Sequence, residues 1–94
     1  MTATHAQVMD VQIHDQDSGQ NFERNAGPGT PLRVVIDDFY KKVIGRDRRA
    51  TDRLWCKATG EDVFQYADLH LGIYIEAGHC SDLQWLWAGD QGGA

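Results

Sequence analysis

Apolar and polar residues alternate near the start of the chain. Val11 and Ile13 alternate with polar neighbours from residue 9 onward, which is the pattern of a strand with one buried face. Residues 15–19 then supply turn chemistry, and a weaker second strand is predicted over 20–25, with Phe22 as its one large inward residue. The pattern therefore predicts a β-hairpin.

A helical period follows the hairpin. Thr30 is expected to cap the first turn and Pro31 to occupy the first helical position, where a missing N–H costs nothing. Gly45 is well placed to end the helix in a left-handed conformation. The apolar residues between these ends recur at helical spacing on one face: Leu32, Val35, Ile36, Phe39 and Val43.

The second half of the chain is less regular. Residues 53–57 read as a short strand, 60–62 as a turn and 63–66 as another short strand. The pattern over 67–78 fits either a strand or a turn of helix with a buried loop, and both interpretations stay open. Alternation over 83–87 predicts the final strand.

One amphipathic helix and a sheet with one apolar face cover each other in a two-layer α+β domain. The economical topology places the last strand centrally beside the first, in a mixed sheet packed on the helix, which is the β-grasp arrangement. The predicted organisation is a flexible arm over 1–8, the domain over 9–87 and a flexible tail over 88–94.

The tail suggests a function. Bulky side chains stop after Trp87, and the chain reaches Gly92 and Gly93 before Ala94. Such a thin segment suits threading into the active site of another protein, because glycine lets enzyme groups approach the backbone closely. The alternative is a frayed terminus or a cloning remnant.

Composition narrows the function classes. The 94 residues are 41% hydrophobic and 24% charged, as in one small globular domain, and the net charge of −5 without a basic stripe argues against nucleic-acid binding. No apolar run approaches the length of a membrane span and no signal peptide is recognised, so a cytoplasmic protein is expected. Two cysteines are too few for a disulfide scaffold and fit a reducing compartment.

The sequence offers little catalytic or metal-binding chemistry. Cys56 and Cys80 with His70 and His79 lack the CxxC or HxxxH spacing of a metal site, so no metal and no cofactor are expected. His70, His79 and Asp82 are the acid/base candidates that stay open on geometry. The chain is not expected to be an enzyme.

Over roughly 9–93 the chain resembles ubiquitin-like proteins. The resemblance combines fold order with an ending on two glycines. It rests on the hairpin and on the helix opened by Thr30, on the segments 53–56 and 74–78, and on the strand 82–87 that leads to Gly92 and Gly93.

The resemblance implies conjugation. In such proteins an activating enzyme uses ATP to adenylate the carboxylate of the last glycine, here Gly93, and passes the acyl group through a cysteine thioester to an amine or another nucleophile. Ala94 would first be removed by a processing peptidase. The chain is similar to ubiquitin-like proteins of bacterial operons that also encode an activating enzyme, a conjugating enzyme and a peptidase. Sulfur carriers of thiamine and molybdopterin synthesis are the alternative, although they are generally shorter and usually end on the glycine pair.

Strand alternation predicts a docking surface. If Leu54 and Cys56 face the helix, Trp55 must face away, and the same alternation sends Leu86 outward. An exposed Trp55–Leu86 patch would mark a partner site, similar in location to the main recognition patch of ubiquitin. The alternative is that the N-terminal arm or the segment 67–78 covers Trp55. A third function, a β-grasp interaction module with self-association left open, follows from this surface.

Overall fold

The computed structural model describes residues 8–89. The predicted arm, apart from Val8, and the tail beyond Gly89 lie outside the described residues. The strands and helices, in chain order, are β1 (Met9–Asp15), β2 (Asn21–Ala26), α1 (Leu32–Phe39), β3 (Arg53–Cys56), α2 (Leu71–Glu76) and β4 (Gln84–Ala88).

The four strands form one mixed sheet in the order β2-β1-β4-β3. β4 lies parallel to β1 and antiparallel to β3, while β1 and β2 form the antiparallel hairpin. The last strand is therefore central and adjacent to the first, which confirms the predicted β-grasp topology. This order places the end of β4 between two hydrogen-bonded neighbours.

The hairpin turn depends on a buried carboxylate. Val11 and Ile13 are buried as predicted, but Asp15 is buried too. Its two carboxylate oxygens accept hydrogen bonds from the Asp17 N–H at 2.9 Å and the Ser18 hydroxyl at 2.7 Å. These bonds satisfy the buried charge and fix the turn that carries Asp17.

The predicted start of α1 is wrong in its details. Pro31 is the flanking residue rather than the first helical one, and the Thr30 side chain makes no capping bond. The N–H of Leu32 instead donates to the carbonyl of Leu69 at 2.9 Å, and the next N–H donates to the carbonyl of Ala67 at 2.9 Å. Tertiary contact with the segment before α2 thus satisfies the free N–H groups that a side-chain cap would otherwise serve.

The end of α1 confirms Gly45 as a terminator. A π-helical turn, Tyr40–Ile44, continues α1, and Gly45 follows with φ 78°. Its N–H donates to the carbonyl of Tyr40 at 2.7 Å. Tyr40 is buried, which the helical spacing did not predict. The apolar face is buried over α1 itself: Leu32, Val35, Ile36 and Phe39.

The predicted strand over 63–66 is wrong. Residues Phe64–Tyr66 form a single 3-10 turn, and β pairing in this region is limited to one bridge between Trp55 and Asp62. The N–H of Val63 still donates to the carbonyl of Leu54 at 2.8 Å. Residues 62–63 therefore contact the edge of β3, but the 3-10 turn that follows prevents a longer ladder.

The ambiguous segment 67–78 contains a helix. Leu71 and Tyr74 of α2 are buried three positions apart, whereas Ile73 between them is exposed. The first turn packs tightly on the loop before α1, since the N–H of Gly72 donates to the carbonyl of Pro28 at 2.9 Å. A Cβ at Gly72 would lie 3.1 Å from the Cβ of Pro28, so a small residue suits this approach.

Cys56 and Cys80 form a disulfide, which corrects the expectation of unbonded cysteines. Both residues are fully buried, and their Cα atoms are 5.8 Å apart. The bond joins β3 to the loop after α2, and neither sulfur is a thiolate that could bind a metal. Because disulfides are typical of oxidising compartments, the cysteines no longer support the predicted cytoplasmic location, which stays a prediction.

The core lies between α1, α2 and the inner face of the sheet, and its largest fully buried residues are Trp85, Tyr74, Phe39, Ile13, Leu32 and Leu54. Trp85 and Tyr74 meet edge to face with ring centroids 5.9 Å apart. None of the helices within residues 8–89 has the length and apolar character needed to cross a bilayer.

Candidate docking face and tail exit

The sheet has an outer face, the side turned away from α1. Leu54 and Cys56 are buried as predicted, while Trp55 between them is half-buried and turned outward. Trp55 lies directly opposite Leu86 in the β3–β4 register, and Leu86 lies opposite His14 in β1. The structure thus confirms that Trp55 and Leu86 are neighbours on one face, whereas their role as a partner surface stays a prediction.

The segment 67–78 does not cover Trp55. Tyr74 of α2 packs against Trp85, whose side chain points to the opposite face of the sheet. Trp55 is instead contacted by the Arg53 guanidinium, which lies 5.0 Å from its ring centroid. The other predicted cover, the N-terminal arm, lies outside the described residues.

The outer face has a charge gradient around an apolar centre. Asp10 and Glu23 lie on the β1–β2 side, and a hydrogen bond with Asp10 and the charge of Asp10 raise the pKa of the exposed Glu23. Arg53 and Lys57 lie on the β3 side. A groove of about 340 Å³ crosses the face, and residues from both halves line it: Gln12, His14, Glu23, Lys57, Gln84 and Leu86.

The tail exit consists of Trp87, Ala88 and Gly89, the last residues described. The carbonyl of Trp87 accepts a hydrogen bond from the N–H of Gln16 at 2.9 Å. Two residues later, the N–H of Gly89 donates to the carboxylate of Asp17 at 2.9 Å. The hairpin turn therefore holds the chain beyond the end of β4.

A buried polar network supports the tail exit. The Trp87 indole donates to the Tyr40 hydroxyl at 2.9 Å, and this hydroxyl donates to Asp52 at 2.9 Å. Arg46 donates to both oxygens of Asp52, at 3.0 and 2.9 Å, and the N–H of Arg49 adds a further bond at 2.9 Å. The network ties the π-helical turn after α1, the loop that follows it and β4 together.

The network sets the ionisation of its members. Burial alone would raise the pKa of Asp52, but the bonds from Arg46, Arg49 and Tyr40 lower it to about 2. Burial and the nearby carboxylate raise the pKa of Tyr40 above its ordinary range. Asp52 is therefore a buried carboxylate that is charged at neutral pH and paired with Arg46.

The predicted conjugation and processing residues, Gly92, Gly93 and Ala94, lie outside the described residues. The structure adds two residues that the sequence interpretation missed, Asp17 and Gly89. Gly89 directly follows a strand with two tryptophans, and this could have suggested that its backbone packs closely on a ring. Asp17 has no such local signal, because its contact with Gly89 joins residues 72 positions apart.

The open acid/base candidates do not form one site. His79 stacks on Tyr66 with ring centroids 3.8 Å apart, and its Nδ1 lies 3.3 Å from Glu61. Asp82 accepts a hydrogen bond from the N–H of Gln84, and His70 precedes α2. No hydrogen bond or ring contact within the described part of the chain joins these three candidates. The same part contains no group of three His, Cys, Asp or Glu residues arranged to hold a metal ion.

The mixed sheet, central last strand and crossing helix define a ubiquitin-like β-grasp fold. No protein-family model and no curated protein matches the sequence. The structure is similar to the ubiquitin-like (UBL) domain of yeast Ddi1, with a TM-score of 0.64 and 17% identity over 98% of this chain and 100% of that chain. It is also similar to the C-terminal ubiquitin-like domain of mouse tubulin-specific chaperone e, with a TM-score of 0.59 and 10% identity over 99% of this chain and 97% of that one. At these identities the likeness concerns the fold.

Proposed function

We propose that the chain is a ubiquitin-like protein modifier conjugated through Gly93. A peptidase hydrolyses the peptide bond after Gly93, and the freed carboxylate attacks ATP to give an acyl adenylate and pyrophosphate. A cysteine of the activating enzyme displaces AMP to form a thioester, and a target amine displaces that thiol to form an amide. The chain supplies the carboxylate and the surface on which these enzymes dock.

The observation that carries this proposal is the position of the glycine pair relative to the sheet. β4 is hydrogen-bonded on both sides and ends at Ala88, and Gly92 and Gly93 follow four and five residues later. A stable body thus lies next to a segment without bulky apolar side chains, which ends on two glycines that an active site could accept. The bacterial operon setting belongs to this proposal as well.

Replacing Gly93 by Trp is expected to abolish every covalent adduct, because the indole would block the approach of enzyme groups to the reacting carbonyl. The tagged chain is expressed in its native host and adducts are detected by immunoblot. Gly29→Ala is the matched control, since a Cβ there meets nothing within 4 Å. Adducts that persist in Gly93→Trp would rule the proposal out.

Mass spectrometry identifies the bond. No Lys or Arg follows Lys57, so trypsin would leave a long remnant on the target. A protease that cleaves before Asp leaves only residues 90–93 on the modified side chain. That remnant on a lysine supports the modifier, a thiocarboxylate at Gly93 indicates a sulfur carrier, and a chain that is never altered indicates an interaction module.

The outer face is the proposed docking surface for the modifier's enzymes and also favours the interaction module as a second candidate. Leu86→Asp is expected to reduce adduct formation at least about tenfold, because a charge replaces an apolar residue at the centre of the face. Ile73→Asp is the control, since Ile73 is 52% exposed and belongs to α2. Adduct yield is quantified in the host, and equal yields from both variants would contradict the docking role.

Self-association through the same face has its own readout. Analytical ultracentrifugation measures whether the mass of the purified chain rises with concentration. A rise that Leu86→Asp removes and Ile73→Asp preserves supports self-association. A monomer at all concentrations excludes it.

A further inference from the structure

We propose that Asp17 and Gly89 are positioning residues that fix the direction in which the tail leaves the sheet, and so present Gly93 to the enzymes that act on it. This inference rests on the proposed function. It concerns residues that lie before the glycine pair and inside the described structure.

Asp17 has a backbone fixed by the turn and an exposed side chain that reaches the tail. It belongs to the turn that Asp15 fixes through bonds to the Asp17 N–H and to Ser18. The side chain of Asp17 is then free to accept from Gly89, 72 positions along the chain. A bond from an N–H to a carboxylate is stronger than one between neutral groups.

This bond extends the pairing of β4 past the end of β1. The ladder continues to the bond between the Gln16 N–H and the Trp87 carbonyl. Two residues further along the chain, the Gly89 N–H donates to the carboxylate of Asp17. A side-chain oxygen thus takes the place that a backbone carbonyl would have in a regular ladder. A side chain thereby determines where the paired strand stops and the tail begins.

The side chains of Trp87 and Arg46 leave no room for a Cβ at position 89. A Cβ at this position would lie 2.7 Å from Cη2 of Trp87 and 3.2 Å from Nη2 of Arg46. Neither neighbour is free to move away, since Tyr40 holds the indole and Asp52 holds the guanidinium. Gly89 is therefore clamped between the Asp17 carboxylate and the Trp87 ring.

A fixed exit restricts where Gly93 can be found. Gly93 is four positions after Gly89, so the reacting glycine lies within about 14 Å of the anchored amide. An enzyme that docks on the sheet then meets the tail in a narrow range of directions, and less conformational entropy is lost on binding. Loss of the anchor should weaken productive binding and leave the chemical step unchanged.

The first test needs no enzyme. In ¹⁵N-labelled protein the Gly89 amide is expected to be ordered, with a high heteronuclear NOE and slow hydrogen exchange. Asp17→Ala should abolish both, and Asp17→Asn should retain them because its amide oxygen still accepts a hydrogen bond. Asp68→Ala, which removes an exposed carboxylate paired with Arg33, is the control and should leave Gly89 ordered. A mobile Gly89 amide in the unmodified chain would overturn the proposal.

The second test measures adduct formation in a host extract at increasing concentrations of added chain. Asp17→Ala is expected to raise the half-saturating concentration about three- to tenfold with an unchanged plateau rate, and Asp17→Asn should restore most of the loss. Asp68→Ala should behave like the unmodified chain. If Asp17→Ala frees Gly89 but saturates like the unmodified chain, the positioning role is overturned and the modifier function survives. Adducts that persist in Gly93→Trp overturn both.

Gly89→Ala disturbs the contact between Asp17 and Gly89 from the Gly89 side, by adding a Cβ. The added methyl group must displace the Trp87 ring or lift the chain from Asp17. The expected result is the same rise in half-saturating concentration as in Asp17→Ala. Normal saturation in a folded Gly89→Ala protein would count against the clamp.

Discussion

Loss of the Cys56–Cys80 disulfide is expected to lower the free energy of unfolding by about 3.5 kcal/mol. The bond closes a loop across a sequence separation of 24, and the chain-entropy relation assigns about this value to such a loop. For a domain of this size the melting temperature should fall by about 15–25 °C. A loss of this size is a large share of the stability of a small domain, which has few alternative sources of stability.

The measurement is thermal unfolding followed by circular dichroism, with and without a phosphine reductant. The matched control is Cys56→Ala/Cys80→Ala, which should melt near the reduced chain and show no response to reductant. Equal melting temperatures for the oxidised and reduced chain would contradict a stabilising disulfide. A slightly lower value for the double variant than for the reduced chain is expected, since both residues are fully buried and the substitution also removes packed atoms.

Replacing Asp52 by Ala is expected to destabilise the fold by about 3–5 kcal/mol. The substitution leaves the Arg46 guanidinium, the Tyr40 hydroxyl and the Arg49 N–H without their shared acceptor. The Tyr40 hydroxyl and the Arg49 N–H then lose an acceptor that water does not fully replace, and this loss costs more than the net gain of the original bonds. Urea unfolding measures the change.

Asp68→Ala is the control for Asp52. It removes the same group from an ion pair that is exposed on both sides, so its effect should stay within about 1 kcal/mol. A loss for Asp52→Ala as small as that of the control would show that the network contributes little to stability.

The Asp52 network also predicts an acid response. The pKa of Asp52 is about 2 in the folded chain against an ordinary 3.8, so its contribution of about 2 kcal/mol is complete above the ordinary value. It is lost as the pH falls through the folded pKa. Stability measured between about pH 5 and pH 2 should therefore decline more steeply in the unmodified chain than in Asp52→Ala.

Much of the fold could be predicted because its main strands and helix follow from the local spacing of apolar residues. Alternation identified β1, β3 and β4, helical spacing identified the buried face of α1, and the residue type of Gly45 identified where the helical region ends. Alternation also predicted that Trp55 and Leu86 lie on the same face of the sheet. These features depend on residues a few positions apart, and backbone geometry connects such residues directly.

The errors and omissions have one physical origin. Thr30 was expected to cap α1, but the first N–H groups of the helix donate to carbonyls of the segment before α2 instead. The segment 67–78 could not be assigned from its alternation, because its packing against Pro28 favours the helix. In both places a contact between distant parts of the chain outweighs the local preference.

The candidate site divides in the same way. The sequence alone determined the glycine pair, the strand that leads to it and the outward direction of Trp55 and Leu86. Only the tertiary structure joined Cys56 to Cys80, gathered Tyr40, Arg46 and Asp52 beneath Trp87, and brought Asp17 to Gly89. Side-chain periodicity follows from backbone geometry within a strand or helix, whereas these contacts arise only when the sheet order brings remote segments together.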